Sequence, residues 1–595
     1  MPIAVSLSAE QLIAVEHNGH VVVRACPGSG KTRVLLHRVM RGLNELASTK
    51  QRIIALTFTN RAADEIQARL DLSGIETEQL WTGTMHSFAL EWIVRPYSAY
   101  LDKLKRGFAV ADEHYTQQVI DELLVDDPLP GRYDQVTTAR ARTGANPNSG
   151  LVAARIYERY RRRLETEKLL DYDDILFYSY QLLRDRPEIA ETLAAIMPLI
   201  CVDETQDIQD LHYAVLSQIV TAQRNRNTLY FVGDLNQCIY QNLGALPKTT
   251  PEIALEFGFP FRELTLSKNF RSTQRLVDYF TRFRSGTGPI VSLAAYAGDR
   301  GAITFFDQTI DRHALVATII PLVRKSLAAG IPAEEICILA PHWAHVIPLA
   351  RELVLQFPEV PFDAPGLSPL HSSRENIWFK VARLFLTSGN HLHQNSRPRW
   401  AKEVIHELER DTKLRLPASL RTSRLLLRSI NSTVSAETDG LAYLREVFGR
   451  LNAQARIDLA FHPDLAKSQN DFFARAQNHL VRHQGAIPTD VNALRKLFGS
   501  REGIVVSTCH GVKGEEFTTV IAFGLLQGYI PNWQSIIHGT GNEASEEASK
   551  LLYVICSRAK KHLHLIAECG RLTASRRPYH TSEELAALTY SYDQV

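Results

Sequence analysis

Apolar residues in this chain fall in two rhythms. Short unbroken runs, "HVVVRA" at 20–25, "RIIALTF" at 52–58, "PLICVD" at 198–203 and "TLYFVGD" at 228–234, predict strands buried on both faces. Between them "KTRVLLHRVMRGL" and "NRAADEIQARL" carry apolar residues at helical spacing. A further strand-like run is "LWTGTMHSF". Strands alternating with helices imply parallel sheets covered by helices on both sides. A second series follows: "GAITFFD", "EEICILAPHW", "GIVVSTCHG", "TTVIAFGL" and "KHLHLIAE". Two stretches break the rhythm. Residues 91–177 are mostly helical and rich in Arg and Tyr, and 388–499 are Leu-, Arg- and Ala-rich without strand signals. The expectation is an α/β protein with two parallel-sheet domains, each carrying a helical insertion. The polar residues from about 572 onward predict a loose tail.

Composition narrows the class. The 595 residues are 45% hydrophobic and 22% charged, as in ordinary globular chains. Net charge is +2, so any nucleic-acid surface must be a local stripe. The opening "MPIAVSLSAEQ" lacks a basic segment and a long apolar core, and no apolar run is long enough to span a membrane. Seven scattered cysteines form no C-x-x-C pair, which argues against structural zinc or a disulfide framework and for a reducing cytoplasm.

The candidate chemistry begins at "ACPGSGKT", residues 25–32, between a predicted strand and a predicted helix. Strand, glycine-rich turn and helix form a phosphate-binding loop, in which backbone N–H groups face the phosphates. Lys31 would reach the β/γ-phosphates and the Thr32 hydroxyl would ligate Mg²⁺. The first glycine of the usual pattern is Ala25 here. At "VDETQD", Asp203 is placed to hold the same Mg²⁺ and Glu204 to activate water.

With these motifs in order, the chain resembles the UvrD/Rep/PcrA-like helicases of superfamily 1A over nearly its whole length. "SAEQ" looks like the adenine-reading Q motif, and "ACPGSGKT", "LTFTNRAADEIQARL" and "TGTMHSFA" look like motifs I, Ia and Ib. "LLDYDDIL" matches a family stretch before motif II, "CVDETQD". "VGDLNQCIY", "LSKNFRS", "STCHGVKGEEF" and "LLYVICSRAKK" resemble motifs III to VI. The resemblance implies two RecA-like motor domains. Domain 1A would comprise residues 1–90 and 178–263, insertion 1B 91–177, domain 2A 264–387 and 500–572, and insertion 2B 388–499, with a tail at 573–595.

It further implies that Gln11, Ala25, Pro27, Gly28, Ser29, Gly30, Lys31, Thr32 and Arg33 bind ATP. Phe270 would stack on the adenine and Glu516 would meet the ribose. Gln237 would sense the γ-phosphate, and Arg271 and Arg558 would be arginine fingers, whose planar forks suit charge spreading over phosphoryl oxygens. Single-stranded DNA, or DNA with a 3′ overhang, would be the track. Phe58 and Tyr240 would stack on bases, and Thr57, Asn60, His86, Thr508 and His510 would lie near the backbone. Stacking is sequence-tolerant, so no particular sequence should be read.

Two departures stand out. After motif III the family usually places an aromatic residue and an arginine where this chain has Asn242 and Leu243, and Glu515 stands at a usual leucine. Insertion 2B is also short. Fewer than about 40 residues follow motif VI, too few for a nuclease domain. Stripped-down relatives occur beside OLD-like nucleases in anti-phage systems, so a nuclease subunit acting in trans is one expected partner. Besides an ATP-dependent DNA helicase or translocase in repair or defence, a regulatory subunit that senses ATP and DNA without processive unwinding stays open. An RNA helicase is disfavoured by the motif set.

Overall fold

The structure is a computed structural model that describes residues 7–131, 134–222, 227–286, 288–364, 370, 376–389, 393, 396–482, 489–499 and 502–594. The opening residues 1–6 and the expected boundary at residue 500 lie outside the described residues. Among those described, no helix is long and apolar enough to cross a membrane. The chain forms two compact units. One comprises residues 1–309, 513–516 and 525–595, the other residues 310–512 and 517–524.

The first unit is built on a six-stranded sheet. In spatial order its strands are Leu80–Thr84, Ile53–Thr57, Leu199–Val202, Thr228–Gly233, Val21–Ala25 and Arg262–Leu266. Every pairing is parallel; Val22 stands beside Phe231 on one side and Glu263 on the other. Successive side chains point to opposite faces of a strand, and the two cores divide accordingly. Val21, Val23, Ala55, Cys201, Tyr230 and Val232 pack in one cluster with Val34, Leu35 and Ile66 of the helices Lys31–Asn44 and Asn60–Asp71. Val22, Ile54, Leu56, Ile200, Val202 and Phe231 pack in the other with Ile175, Leu182, Val215 and Ile219. Truncating a fully buried ring such as Phe231 to alanine would cost about 3–5 kcal/mol.

The strand-like run at 80–88 divides in the structure. The strand stops at Thr84, whose hydroxyl accepts from the Ser87 amide and starts a helical turn at Met85. Side-chain capping of this kind outcompetes the weak β signal of "MHSF".

Residues 91–177 combine the helices Glu113–Asp126 and Leu151–Glu167 with a two-residue strand pair, Ala109–Val110 beside Leu169–Leu170. The helix Tyr172–Asp185 follows, with Asp171 as its N-cap.

The residues after 572 are packed and not loose. Asp593 accepts from Arg275 at 2.6 Å, from Arg300 at 2.8 Å and from the Ile303 amide at 2.9 Å. The Tyr592 and Tyr279 hydroxyls are 3.0 Å apart, and the Tyr590 ring meets Tyr279 edge-on. A segment with few aliphatic residues is held by aromatic area and charge.

In the second unit the strands Phe517–Ala522, Ile336–Ala340, Ile504–Thr508 and Phe362–Asp363 pair in parallel in that order. Its described residues between 388 and 499 are helical, with the helices Ser396–Thr412, Ser423–Ser432, Gly440–Ala455, Pro463–Arg482 and Val491–Lys496 and no strand. They pack with the helix Ile377–Leu386 around Trp378, Phe448 and Leu444.

Candidate functional site

The phosphate-type loop follows from its glycines. Gly28 and Gly30 both have positive φ, +67° and +81°. A Cβ on Gly28 would lie 2.5 Å from Arg271 Cβ, and one on Gly30 would lie 2.7 Å from Gln11 Nε2. Side chains at these points would therefore meet both backbone strain and a wall. The loop is held from outside: Asn269 Nδ2 donates to the Pro27 carbonyl and the Phe270 amide to the Gly28 carbonyl, each at 2.8 Å. Gln11 Nε2 donates to the Ser29 carbonyl at 2.8 Å, while its Oε1 accepts from the Ser8 amide at 3.0 Å. In this structure the Gln11 amide thus completes a capping box and braces the loop.

The helix Lys31–Asn44 opens from Gly30 with no side chain capping its first turn. Its leading N–H groups and positive dipole end face the loop's concavity. Ser29 Oγ is buried there without a hydrogen-bond partner among the described residues. Such a set of donors fits a phosphate chain. Ala25 and Cys26 are buried beneath the loop, and burial, then Asp234, pushes the Cys26 thiol up to about 12. That thiol is inert at neutral pH.

Strand Leu199–Val202 delivers the carboxylates. Asp203 Oδ1 accepts from the Glu204 amide at 2.9 Å. Glu204 has φ +50°, an uncommon conformation for a side-chain-bearing residue, and its carboxylate lies 3.6 Å from Lys31 Nζ. Burial opposes ionisation of Glu204, but Lys31 and then Lys513 overcome it and hold its pKa below the usual value. Burial, then Glu204, pushes Asp203 upward. Lys31 keeps one carboxylate charged, while at its neighbour burial and Glu204 outweigh the pull of the same lysine.

Strand Thr228–Gly233 leads into the turn Leu235–Gln237. Gly233 has no room for a Cβ, which would sit 2.3 Å from Thr205 Oγ1. Gln237 Nε2 donates to Asp234 at 2.9 Å, and its Oε1 accepts from Arg558 at 3.1 Å. Arg558 also donates to the Glu515 and Val554 carbonyls, each at 3.1 Å. Burial, then Arg271, lowers the Arg558 pKa to about 9. Arg271 Nε donates to Glu516 at 2.7 Å and its NH1 to the Ser557 carbonyl at 3.0 Å. Lys560 lies 3.6 Å from the same Glu516 carboxylate. Phe270 is 38% exposed, a large ring left in solvent beside the loop.

A second cluster lies on the same unit. Phe58 and Tyr240 stack with centroids 4.7 Å apart. They line a cavity of about 190 Å³ together with Thr57, His86, Asp203, Glu204 and His212. The Thr57 hydroxyl donates to the Thr59 carbonyl at 2.8 Å, and Asn60 begins the helix capped by Thr59. The His86 ring meets Tyr172 and His212 edge-on, each at 5.4 Å, and burial lowers its pKa to about 4, so it is neutral. Asn242, where an aromatic was expected, is exposed on the turn Gln241–Leu243.

The first unit thus gathers Gln11, Ala25, Pro27, Gly28, Ser29, Gly30, Lys31, Thr32, Arg33, Asp203, Glu204, Gln237, Phe270, Arg271, Glu516 and Arg558, and with them Thr57, Phe58, Asn60, His86 and Tyr240. Thr508 and His510 belong to the second unit, where the buried Thr508 hydroxyl accepts from the Gly511 amide at 3.1 Å. Sequence reasoning passed over Asp207, Asp234 and Lys513. Asp207 and Lys513 sit inside the quoted motifs, but only the fold reveals that they are partners.

The family model of the UvrD/REP helicase N-terminal domain matches residues 7–257, and that of the UvrD-like helicase C-terminal domain matches residues 490–569. The chain is 26% identical to the ATP-dependent DNA helicase UvrD2 of Mycobacterium bovis, over 97% of this chain and 80% of that protein. It is 29% identical to the ATP-dependent DNA helicase PcrA of Staphylococcus epidermidis, over 46% of this chain and 39% of that one. Two matched helicase models, an alignment that runs almost end to end and parallel sheets that carry the loop and the carboxylates on strand ends lead to one assignment: the chain belongs to the UvrD-like family of superfamily 1, the ATP-dependent DNA helicases.

Proposed function

We propose that this protein is an ATP-fuelled motor that tracks single-stranded DNA in the 3′ to 5′ direction. The carrying observation is the Lys31–Glu204 pair at the mouth of an uncapped helix. It puts a cation and a charged base where a γ-phosphate would lie. In this reading the loop from Ala25 to Arg33 takes the triphosphate, with Gln11 and Phe270 at the adenine and Glu516 at the ribose. Glu204 accepts a proton from the attacking water. Gln237 and the guanidinium forks of Arg271 and Arg558 donate to oxygens that gain charge in the transition state.

A divalent cation suits the donors at Thr32 and Asp203, both hard oxygens. Mg²⁺, when bound, would supply positive charge beside the buried Asp203 and neutralise phosphate charge. DNA bases would stack at Phe58 and Tyr240, with Thr57, Asn60, His86, Thr508 and His510 along the backbone.

A second reading is favoured by the exposed Asn242, which leaves one stacking position empty. There the chain senses ATP and DNA for a nuclease subunit in trans, in anti-phage defence, with little processive unwinding. The test is ATP hydrolysis with and without oligo(dT), beside Lys31→Ala. Strong stimulation that the variant abolishes supports the motor. ATP hydrolysis without strand displacement supports the sensing subunit, and copurification with a nuclease would identify its partner.

A further inference from the structure

A second cavity of the first unit is lined by none of the residues assigned to ATP or DNA. Its volume is about 540 Å³. That lies within the roughly 300–1,000 Å³ of ordinary small-ligand sites. One wall is the helix Tyr172–Asp185, on which Phe177, Gln181 and Asp185 recur every fourth residue and so share a face. Another is the segment from Tyr100 to Lys103. Arg140 enters from the irregular chain between the helices Glu113–Asp126 and Leu151–Glu167.

These walls suit flat rings. The Arg140 guanidinium lies over the Phe177 ring, 3.6 Å from its centroid. Its NH1 donates to Asp174 at 2.6 Å, and its Nε is buried without a hydrogen-bond partner among the described residues. Gly144, with φ +76°, closes on the same ring: a Cβ there would lie 3.1 Å from Phe177 Cζ. Ring and guanidinium are thus fixed before any ligand arrives. A guanidinium stacked on one face offers its other face to a base. Tyr100, 57% exposed, adds a second ring, with the Arg186 guanidinium 5.2 Å from its centroid. Gln181 supplies an amide, which both donates and accepts.

The rim favours an anion. Asp102 and Asp185 line it, but Lys105 and Arg184, two residues outside the lining, bind them at 2.8 and 2.7 Å and lower their pKa values. The lining cations have looser partners. Lys103 lies 3.2 Å from Glu165 and Arg186 4.0 Å from Glu188, with every one of these side chains 49–64% exposed. Exposed pairs of this kind contribute little, so a phosphate can replace them at small cost.

We infer that this cavity is a second nucleotide site, which takes a nucleoside monophosphate unit with its base against Arg140 and Tyr100 and its phosphate on Lys103 and Arg186. The unit can be a free nucleotide or one residue of a strand. Both present the same ring and phosphate, and the experiment separates them.

Calorimetric titration of the full chain with thymidine 5′-monophosphate, in the presence of a saturating non-hydrolysable ATP analogue and Mg²⁺, reads the site directly. Tyr100→Ala should weaken binding by about 5–150-fold, the worth of a base stack. Lys103→Gln/Arg186→Gln should weaken it by at least about tenfold and erase the advantage of the monophosphate over thymidine. All three residues are exposed and outside the ATP site, so ATP hydrolysis without DNA should not change. A free-nucleotide site keeps its monophosphate when oligo(dT) is added. A strand site gives it up, and the same variants then weaken oligo(dT) binding. No monophosphate binding together with unchanged oligo(dT) affinity in the variants would overturn the inference. So would monophosphate binding that ignores every one of these substitutions. Preference for an acidic peptide containing phenylalanine would overturn it as well, by making the cavity a peptide site. The motor reading is untouched by any of these outcomes, since Lys31→Ala tests it separately.

Discussion

Phe58 and Tyr240 occupy each other's faces, with ring planes 28° apart and centroids 4.7 Å apart. Any base that stacks on either ring must first part the pair or extend it. The two rings therefore act as one unit. Phe58→Ala and Tyr240→Ala should each weaken oligo(dT) binding by about 1–3 kcal/mol, the usual worth of a base stack. The double variant should lose clearly less than the sum, as expected for residues in contact. Fluorescence titration of the three variants measures this, and strict additivity would remove the shared platform.

Asn242 offers the converse experiment. It is exposed, on a turn two residues beyond Tyr240. Asn242→Trp should add a stacking face and tighten oligo(dT) binding by about 1–3 kcal/mol, without altering nucleotide affinity. Titrations with labelled oligo(dT) and with a fluorescent nucleotide check both halves.

Arg558 spends three nitrogens on four acceptors: Gln237 Oε1, Ser557 Oγ and the carbonyls of Glu515 and Val554. A lysine has one nitrogen and no fork. Arg558→Lys should therefore lower kcat for ATP hydrolysis by roughly a thousandfold, within the range known for arginine fingers. Nucleotide binding should persist, which separates a transition-state contact from a ground-state one.

At the base of the helix Tyr172–Asp185, Asp171, Asp173 and Asp174 face Arg140 and Arg161. Three carboxylates against two guanidiniums leave one surplus negative charge in a buried place. Burial, then Asp174, raises Asp171 above its ordinary value. The folded state then binds more protons than the unfolded state between the ordinary and the raised pKa. Stability from this group is present in full at low pH and is lost as pH rises through the raised value. Asp171→Asn should flatten that part of the curve, by at most about 1.4 kcal/mol per pH unit. Urea melts between pH 5 and 8 measure the slope.

How much of this was legible beforehand depends on how far apart the partners lie. The strand Val21–Ala25, the loop and the helix Lys31–Asn44 are written locally, in a β-branched run, two glycines and a helical repeat. The Lys31–Glu204 pair was readable only because each half sits in a motif of its own. Asp207 and Lys513 are 306 residues apart and share no pattern, so nothing local announces their bond. The end of the strand at Thr84 turns on one hydroxyl, which apolar periodicity does not register. The residues after 572 look loose because their cohesion comes from Tyr590, Tyr592 and Asp593, and not from aliphatic spacing.

That last packing bears on how the chain is made. Arg275 and Asp593 are 318 residues apart. A ribosome adding roughly 5–20 residues each second releases the arginine well before its carboxylate exists. During that interval Arg275, Arg300 and the Ile303 amide have no partner from residues 590–593. Final assembly of this corner thus waits until residue 593 has been made, and a nascent chain stalled a few residues short of it would expose the corner to proteases and chaperones.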